Sequence, residues 1–195
     1  MAKGNPYGDF EIDDPKAMRA LAHPVRLALL ERLRRHGPAT ASQLSPQVGA
    51  TPSVASWHLR HLAEFGLVRD AEPGPDRRER RWEAVASGFR FGGVAQTPEG
   101  RDAARTLIEQ IILRARDLPQ RWASEVAPEL EPEWQDEGGI YDTRIYATAE
   151  EAAQIAQAME MVLAPFVLRG AEKAPDGARP VRYLRYILPE SGDDE

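Results

Sequence analysis

The chain has 195 residues, of which 42% are hydrophobic and 29% charged, a composition typical of one globular domain or a small domain with an extension. It has no cysteine, which excludes disulfides, thiolate metal sites and thiol redox sensing. No apolar run approaches the ~18 residues of a membrane span, and the N-terminus lacks the apolar core of a signal peptide. We therefore expect a cytoplasmic protein with no membrane contact.

The formal net charge of −6 is unevenly distributed along the chain. Residues 15–86 hold 12 basic and seven acidic residues, a net +5, whereas residues 1–14 carry −3 and residues 87–195 carry −8. Local positive charge is what meets phosphate groups. The distribution therefore favours a nucleic-acid contact within residues 15–86 and an acidic remainder that faces away from it.

The predicted elements begin with a flexible N-terminal arm over residues 1–14. Asp14 then has the position of an N-cap, with Pro15 at the first helical position. Apolar residues recur at helical spacing up to the His-Gly-Pro stop signal at 36–38, and His23-Pro24 interrupts this helix. We expect two helical segments or a kink at that dipeptide.

Two shorter helices are predicted next. Thr40 opens the first, over residues 41–48, and Thr51 with Pro52 begins the second, which Gly66 closes. The core face of this second helix has the spacing i, i+4, i+7 and consists of Ala55, Leu59 and Leu62. Residues 67–71 and 79–86 follow as two strands joined by a polar turn, and residues 89–94 as a short extended piece.

The second half begins with a long helix. Thr97-Pro98-Glu99 starts it, and it runs to about residue 118 and resumes to residue 126. Residues 127–139 are an acidic, proline-containing connector. Alternating residues 140–147 predict a strand, Thr148 with Glu151 caps a helix to about residue 168, and residues 181–188 predict another strand.

The predicted fold class is therefore α+β, mostly α. It comprises a winged helix-turn-helix domain over residues 15–95, a dimerisation helix over 96–126, the connector, a strand–helix–strand unit over 140–190, and a tail over 191–195. Residues 140–190 are called the C-terminal unit below.

Two segments carry a family resemblance: HPVRLALL, which begins at His23, and the pattern S-x-x-S-x-H-L-x-x-L-x-x-x-G-L-V, which begins at Ser53. Together they resemble the ArsR family of winged-helix bacterial transcription regulators. The resemblance covers about residues 15–86, and the rest of the chain is longer than in the short members. It implies a DNA-binding repressor that acts as a homodimer.

The physical argument for DNA rests on the helix after Thr51, which buries one stripe and presents the other. We predict that Ser53, Val54 and Trp57 reach the floor of the major groove, where an apolar side chain contacts a thymine methyl. Ser56 and Arg60 are assigned mainly to phosphate, and small hydroxyl residues from Thr51 onward let the backbone approach it.

Arg77 and Arg78 lie at the tip of the predicted wing, where guanidinium groups are expected to contact phosphates. For Arg80 and Arg81 two interpretations stay open: they contact DNA, or they pair with Glu79 and Glu83.

The histidines do not predict a metal site. His58 and His61 stand at i, i+3 with Glu64 as the nearest third ligand, an incomplete set, so His58 is interpreted as structural. The metal sites known in the resembling family use cysteines, which this chain lacks, or Asp, His and Glu on the dimer helix, and residues 101–116 contain no histidine. We predict neither a metal nor a cofactor.

A homodimer is predicted because one winged helix reads only a half-site. The long helix supplies its interface through Leu107, Ile108, Ile111 and Ile112. The aromatic residues of the second half predict either a small core or a pocket for an unknown small apolar effector. They are Trp122, Trp134, Tyr141, Tyr146, Phe166, Tyr183 and Tyr186.

These features predict a sequence-specific transcription regulator, a repressor on a palindromic operator in double-stranded DNA. Two other classes stay open: a constitutive architectural DNA-binding protein without an effector, and a winged-helix module that binds protein. The sequence has no phosphate-binding glycine loop, nucleophile elbow or metal cluster, so an enzyme is not predicted.

Overall fold

A computed structural model describes residues 5–74, 79–91, 96–170 and 173–190. Within these ranges the chain is mostly helical with two small sheets, which confirms the predicted α+β class. None of the helices in the described ranges combines the length and the apolar character that a membrane span needs.

The first two helices are separated where the sequence predicted. Helix α1 spans Pro15–Leu21, and the Asp14 side chain accepts a hydrogen bond from the Lys16 amide at 2.8 Å. Helix α2 spans Pro24–His36 and starts from His23, whose Nδ1 accepts a hydrogen bond from the Val25 amide at 3.2 Å. Pro24 sits at the first position of α2, where its missing N–H costs nothing.

The next two helices form the helix-turn-helix. Helix α3 spans Ala41–Leu44 and continues as a 3₁₀ turn over Ser45–Val48, and helix α4 spans Pro52–Glu64. Thr40 and Gln43 make a reciprocal capping box at α3. Gly66, with φ of 69°, then turns the chain out of α4 in a conformation that favours glycine.

The wing is a three-stranded antiparallel sheet with the order β2-β4-β3. Strand β2 is Ala39–Thr40, β3 is Val68–Asp70 and β4 is Arg81–Ala84. The Trp82 side chain points from the sheet into the core and is only 1% exposed. The predicted hairpin is confirmed, with strands shorter than expected.

The N-terminal arm is not flexible throughout, contrary to expectation. Strand β1, Phe10–Glu11, pairs in parallel with β5, Phe89–Arg90, and Ile12 is 3% exposed in the core. The arm is held because its main chain pairs with a strand about 80 residues further along the chain and because Phe10 and Ile12 pack into the apolar core, neither of which local sequence reveals.

The described part of the second half contains four α-helices: α5, Pro98–Ala115; α6, Leu118–Arg121; α7, Pro132–Glu137; and α8, Ala149–Arg169. A π turn, Trp122–Val126, and a 3₁₀ turn, Ala127–Glu129, follow α6. The connector predicted at 127–139 thus contains a short helix. Thr148 and Glu151 form the predicted capping box of α8.

A single apolar core joins α1, α2, α4, α5 and the wing. Helix α5 contributes Ala103, Ala104 and Leu107, and Leu107 is fully buried. Leu107, predicted at the dimer interface, therefore has no surface left to offer a partner. The C-terminal unit contributes nothing to this core among the described residues.

The two predicted strands of the C-terminal unit are corrected. Residues 140–147 and 181–188 form no hydrogen-bonded ladder with any described residue. The expected aromatic core is also wrong, because Tyr141, Tyr146 and Tyr183 are 80%, 96% and 70% exposed. A strand needs a paired main chain as well as an alternating pattern, and the chain by itself offers none to these segments.

The buried stripe of α4 should carry much of the stability of the winged domain. Replacing Leu59, which is 0% exposed, with Ala should lower the free energy of unfolding by about 2–5 kcal/mol, because it leaves a cavity. Urea denaturation measures the loss. The control Val54→Ala, on the exposed face of the same helix, should change stability by less than about 0.5 kcal/mol; equal losses would contradict the packing described.

Candidate nucleic-acid interface

Helix α4 has two chemically different faces. Ala55, Leu59 and Leu62 are fully buried, whereas Val54 is 44% and Trp57 57% exposed on the other side. Ser53 and Arg60 share the exposed face, and Ser56 is half-buried at its margin. The predicted reading residues are therefore all on one surface that the core does not use.

The first turn of α4 keeps amide groups at the surface. The Thr51 hydroxyl accepts a hydrogen bond from the Val54 amide at 3.3 Å. The Ser53 amide donates to no described residue. A helix N-terminus with a free N–H carries partial positive charge and attracts phosphate oxygens.

The Arg60 guanidinium lies along the same exposed face. Its Nε donates to the Ser56 carbonyl and its Nη2 to the Ser56 hydroxyl, both at 3.3 Å. These long, exposed bonds within one helix are weak. The cation can thus exchange them for a stronger contact with an anion.

The two histidines of α4 point to different environments. His58 is buried, and its ring centroid is 4.6 Å from that of His23. His61 stacks on Trp57 at 5.8 Å, and its Nδ1 lies 3.0 Å from a Glu64 oxygen. The described residues contain no group of three or more His, Cys, Asp or Glu side chains that could hold a metal ion.

The environment of His58 disfavours its charged form. Burial, together with the charges of His23, Arg26 and His61, lowers its pKa from 6.5 to about 4. Its Nδ1 has no hydrogen-bond partner among the described residues. His58 is therefore a neutral packing residue behind Trp57, which its ring contacts edge-on at 4.8 Å.

The wing arginines are held by partners that the sequence did not identify. Arg80 forms two hydrogen bonds to the Asp70 carboxylate, at 2.5 and 3.0 Å, and stacks 4.0 Å above the Trp82 ring. These bonds hold the pKa of Asp70 below its usual value. Arg81 donates to the Pro38 carbonyl at 2.7 Å.

Pairing of Arg80 and Arg81 with Glu79 and Glu83, one of the two interpretations left open, is not found in the described part of the chain: Arg80 pairs with Asp70, and Glu83 binds Arg69 at 2.6 Å across the hairpin. The antiparallel register brings residues of β3 opposite β4, and local sequence spacing does not reveal such cross-strand partners. Arg77 and Arg78 lie outside the described residues.

A cleft of about 230 Å³ lies where the N-termini of α3 and α4 meet the wing. Its wall includes Ser42, Ser56 and Arg80, with Glu79 as the one acid. Ser42 is not among the DNA-contact residues predicted from the sequence, and for Arg80 the sequence leaves both DNA contact and pairing with an acid possible. A capping threonine marks the N-terminus of each helix in the sequence, but only folding brings these N-termini beside a strand that begins about 30 to 40 residues further along the chain.

The residues predicted for the dimer interface divide into two groups. Ile108 and Ile112 are 43% and 49% exposed on α5, and Leu113 beside them is 53% exposed. Ile111 is half-buried against the core, and Leu107 is fully inside it.

Residues 21–71 match the family model described as "Helix-turn-helix domain". The matched range covers α2, α3, α4 and β3, and it contains every predicted DNA-contact residue of α4. This part of the chain is a helix-turn-helix domain, the architecture that presents its second helix to the major groove of DNA.

The chain is also similar to two solved structures. One is the YusO protein from Bacillus subtilis, with 19% identity, a TM-score of 0.33, and coverage of 74% of this chain and 84% of that one. The other is the transcriptional regulator Tm0710 from Thermotoga maritima, with 14% identity, a TM-score of 0.31, and coverage of 80% and 89%. No curated protein matches the chain significantly.

The lowered pKa of His58 makes stability depend on pH. Between about pH 6.5 and pH 4 the unfolded chain binds more protons at His58 than the folded chain does. The contribution of the neutral His58 to stability is therefore fully present above this pH range and is lost as the pH falls through it. We expect His58 to remove about 2 kcal/mol of unfolding free energy between about pH 7.5 and pH 5. Urea titrations at both pH values of the wild type and His58→Gln measure it, and an identical pH dependence would contradict a neutral buried imidazole.

Proposed function

We propose that this protein is a transcription regulator of the ArsR type. It binds double-stranded DNA sequence-specifically as a homodimer, acts in the cytoplasm and represses transcription from a palindromic operator. The single observation that supports this most strongly is α4, whose buried stripe fixes it in the core while Ser53, Val54 and Trp57 stay free on the opposite side.

The chemistry of this exposed face suits base edges and phosphates together. Val54 and Trp57 are apolar and are 44% and 57% exposed, so a thymine methyl gives them an apolar contact that water does not. Thr51, Ser56 and Arg60 surround them with hydroxyl and guanidinium groups suited to the DNA backbone.

The wing and the cleft extend this surface toward the phosphates. Arg80 stands beside two helix N-termini, and the formal net charge of residues 15–86 is +5. Arg77 and Arg78 are proposed to contact phosphate from the wing tip.

A homodimer follows from the size of the recognition surface. One α4 reads one half-site, and two half-sites a helical turn apart give the affinity that a regulator needs. Ile108, Ile111 and Ile112 on α5 are proposed for the interface, and the first and last of these are the more exposed.

A substitution on the exposed face of α4 should reduce sequence discrimination in DNA binding and leave the fold intact. Trp57→Ala should weaken binding to the selected operator by about 1–3 kcal/mol and relax the preference at the contacted base pair. Selection of bound fragments from the source genome should first recover a palindrome, and fluorescence anisotropy then measures both variants. Trp134→Ala, a half-buried tryptophan outside the winged domain, is the control. Sequence-independent recovery would favour an architectural protein, and no recovery at moderate salt would favour a protein-binding module.

Removing the two arginines of the wing tip should reduce the electrostatic component of DNA binding. Arg77→Ala with Arg78→Ala should weaken binding on every sequence and lower the slope of log affinity against log salt by up to about two. Arg116→Ala with Arg121→Ala, two exposed arginines of the acidic half, should leave the slope as it is. An unchanged slope in the wing variant would show that these two cations do not contact DNA.

A further inference from the structure

Helix α8 exposes a continuous apolar stripe. Ile155, Met159, Val162 and Phe166 follow the 4-3-4 spacing that places them on one side of a helix, and they are 43%, 42%, 69% and 61% exposed. These four residues are called the α8 seam. Such a spacing is the pattern by which two helices pack against each other side by side.

The seam faces away from the chain's own core. Ala164, the one described residue of α8 that is buried, lies nine positions from Ile155, or about two and a half turns, so it is on the opposite side of the helix. Most of the stability of a helix in a protein comes from packing of its amphipathic face. Helix α8 has 21 residues, and among the described residues the four side chains of the seam stay 42–69% exposed.

The segments on either side of α8 have unpaired main chains. Residues 140–147 and 181–188 form no backbone hydrogen bond with any described residue, although the sequence predicts a strand in each. The described polar contacts of these segments come from side chains: Arg144 pairs with Glu190 at 2.6 Å, Arg182 with Glu31 at 2.8 Å, and Arg185 with Glu160 at 3.2 Å. Their main-chain donors and acceptors are thus available to another strand.

The C-terminal unit exposes much apolar side-chain area. Tyr141, Tyr146, Phe166, Tyr183 and Tyr186 are each more than half exposed. At about 150–250 Å² for an aromatic side chain, their exposed areas sum to on the order of 700 Å² over three segments of the unit. One side of a stable protein interface buries ~800 Å², so a partner that contacts all three segments would cover an area of that size.

The charges on this surface favour a second copy of the same chain. Residues 140–190 hold six basic and seven acidic residues, so the surface is nearly neutral and can complement itself, whereas a strongly charged partner would gain little from it. The surface also adjoins the face of α5 assigned above to the dimer, because Ile111 of α5 and Val167 of α8 line one cavity.

We propose that the C-terminal unit is completed by a second copy of this chain. The α8 seam packs against the partner's α8, and the main chains of residues 140–147 and 181–188 pair with those of the partner across the two-fold axis. The inference rests on the proposed homodimer and adds to its α5 interface a second surface that the resembling winged domain does not include.

Charge placed in the seam tests the proposal directly. Val162→Arg with Phe166→Arg in the full-length chain should raise the dimer dissociation constant at least about 100-fold. Gln154→Arg with Gln157→Arg, which adds the same charge to exposed positions of α8 outside the seam, should leave it unchanged. Sedimentation velocity over a concentration series measures assembly, and circular dichroism with thermal unfolding verifies that each variant is folded.

The outcomes separate this inference from the proposed function. A monomeric wild type, or a seam variant as dimeric as its control, overturns the inference; DNA binding is measured separately by anisotropy. If Ile108→Arg with Ile112→Arg dissociates the dimer and the seam variant does not, the α5 interface stands alone. If the seam variant dissociates and no DNA is bound by the wild type, the inference stands and the regulator function fails.

Hydrogen exchange tests the strand pairing independently of assembly. In the wild-type dimer, amides of residues 140–147 and 181–188 should exchange slowly, since the chain alone gives them no partner and only pairing protects them. In the seam variant they should exchange at the rate of free amides. Fast exchange in the wild type would overturn the pairing, and slow exchange in a monomeric variant would show protection from within one chain.

Discussion

The contact between α4 and the core is the constraint on which the rest of the structure depends. Ala55, Leu59 and Leu62 are fully buried, and together they fix both the position and the rotation of the helix. Side chains leave a helix at fixed angles, so burying one stripe in the core determines which residues lie on the solvent-exposed side. The exposed set that results, with Val54 and Trp57 at its centre, is the surface proposed to read DNA.

Polar groups behind this helix are arranged to keep the interior neutral or paired. His58 stays uncharged because burial and neighbouring cations oppose its protonation, and the Arg26 guanidinium ends on the Ala20 carbonyl. At the surface, Arg80 is shared between Asp70 and the face of Trp82, which keeps a cation at the mouth of the cleft. The same sheet thus stabilises the core on one side and carries charge on the other.

The two halves of the chain are joined by ion pairs. Asp9, Arg90, Glu160 and Arg185 form a chain of contacts at 3.3, 2.7 and 3.2 Å that runs from the N-terminal arm through β5 to α8 and the last segment. If the C-terminal unit binds a second copy, these pairs orient the winged domains in the dimer. The spacing of the two α4 helices, which must match half-sites about one helical turn apart, would then depend on them.

The sequence by itself determined the helices of the winged domain, the capped starts of α5 and α8, and which residues of α4 lie on its exposed face. Thr51, Pro52 and the spacing from Ala55 to Leu62 are local signals, and a local signal suffices for a helix because its hydrogen bonds lie within one segment. Tertiary structure decided what depends on distant partners: the pairing of β1 with β5, the hold of Asp70 on Arg80, the burial of Leu107 and the exposure of residues 140–147. A strand needs a second main chain, and an alternating pattern does not say which chain supplies it.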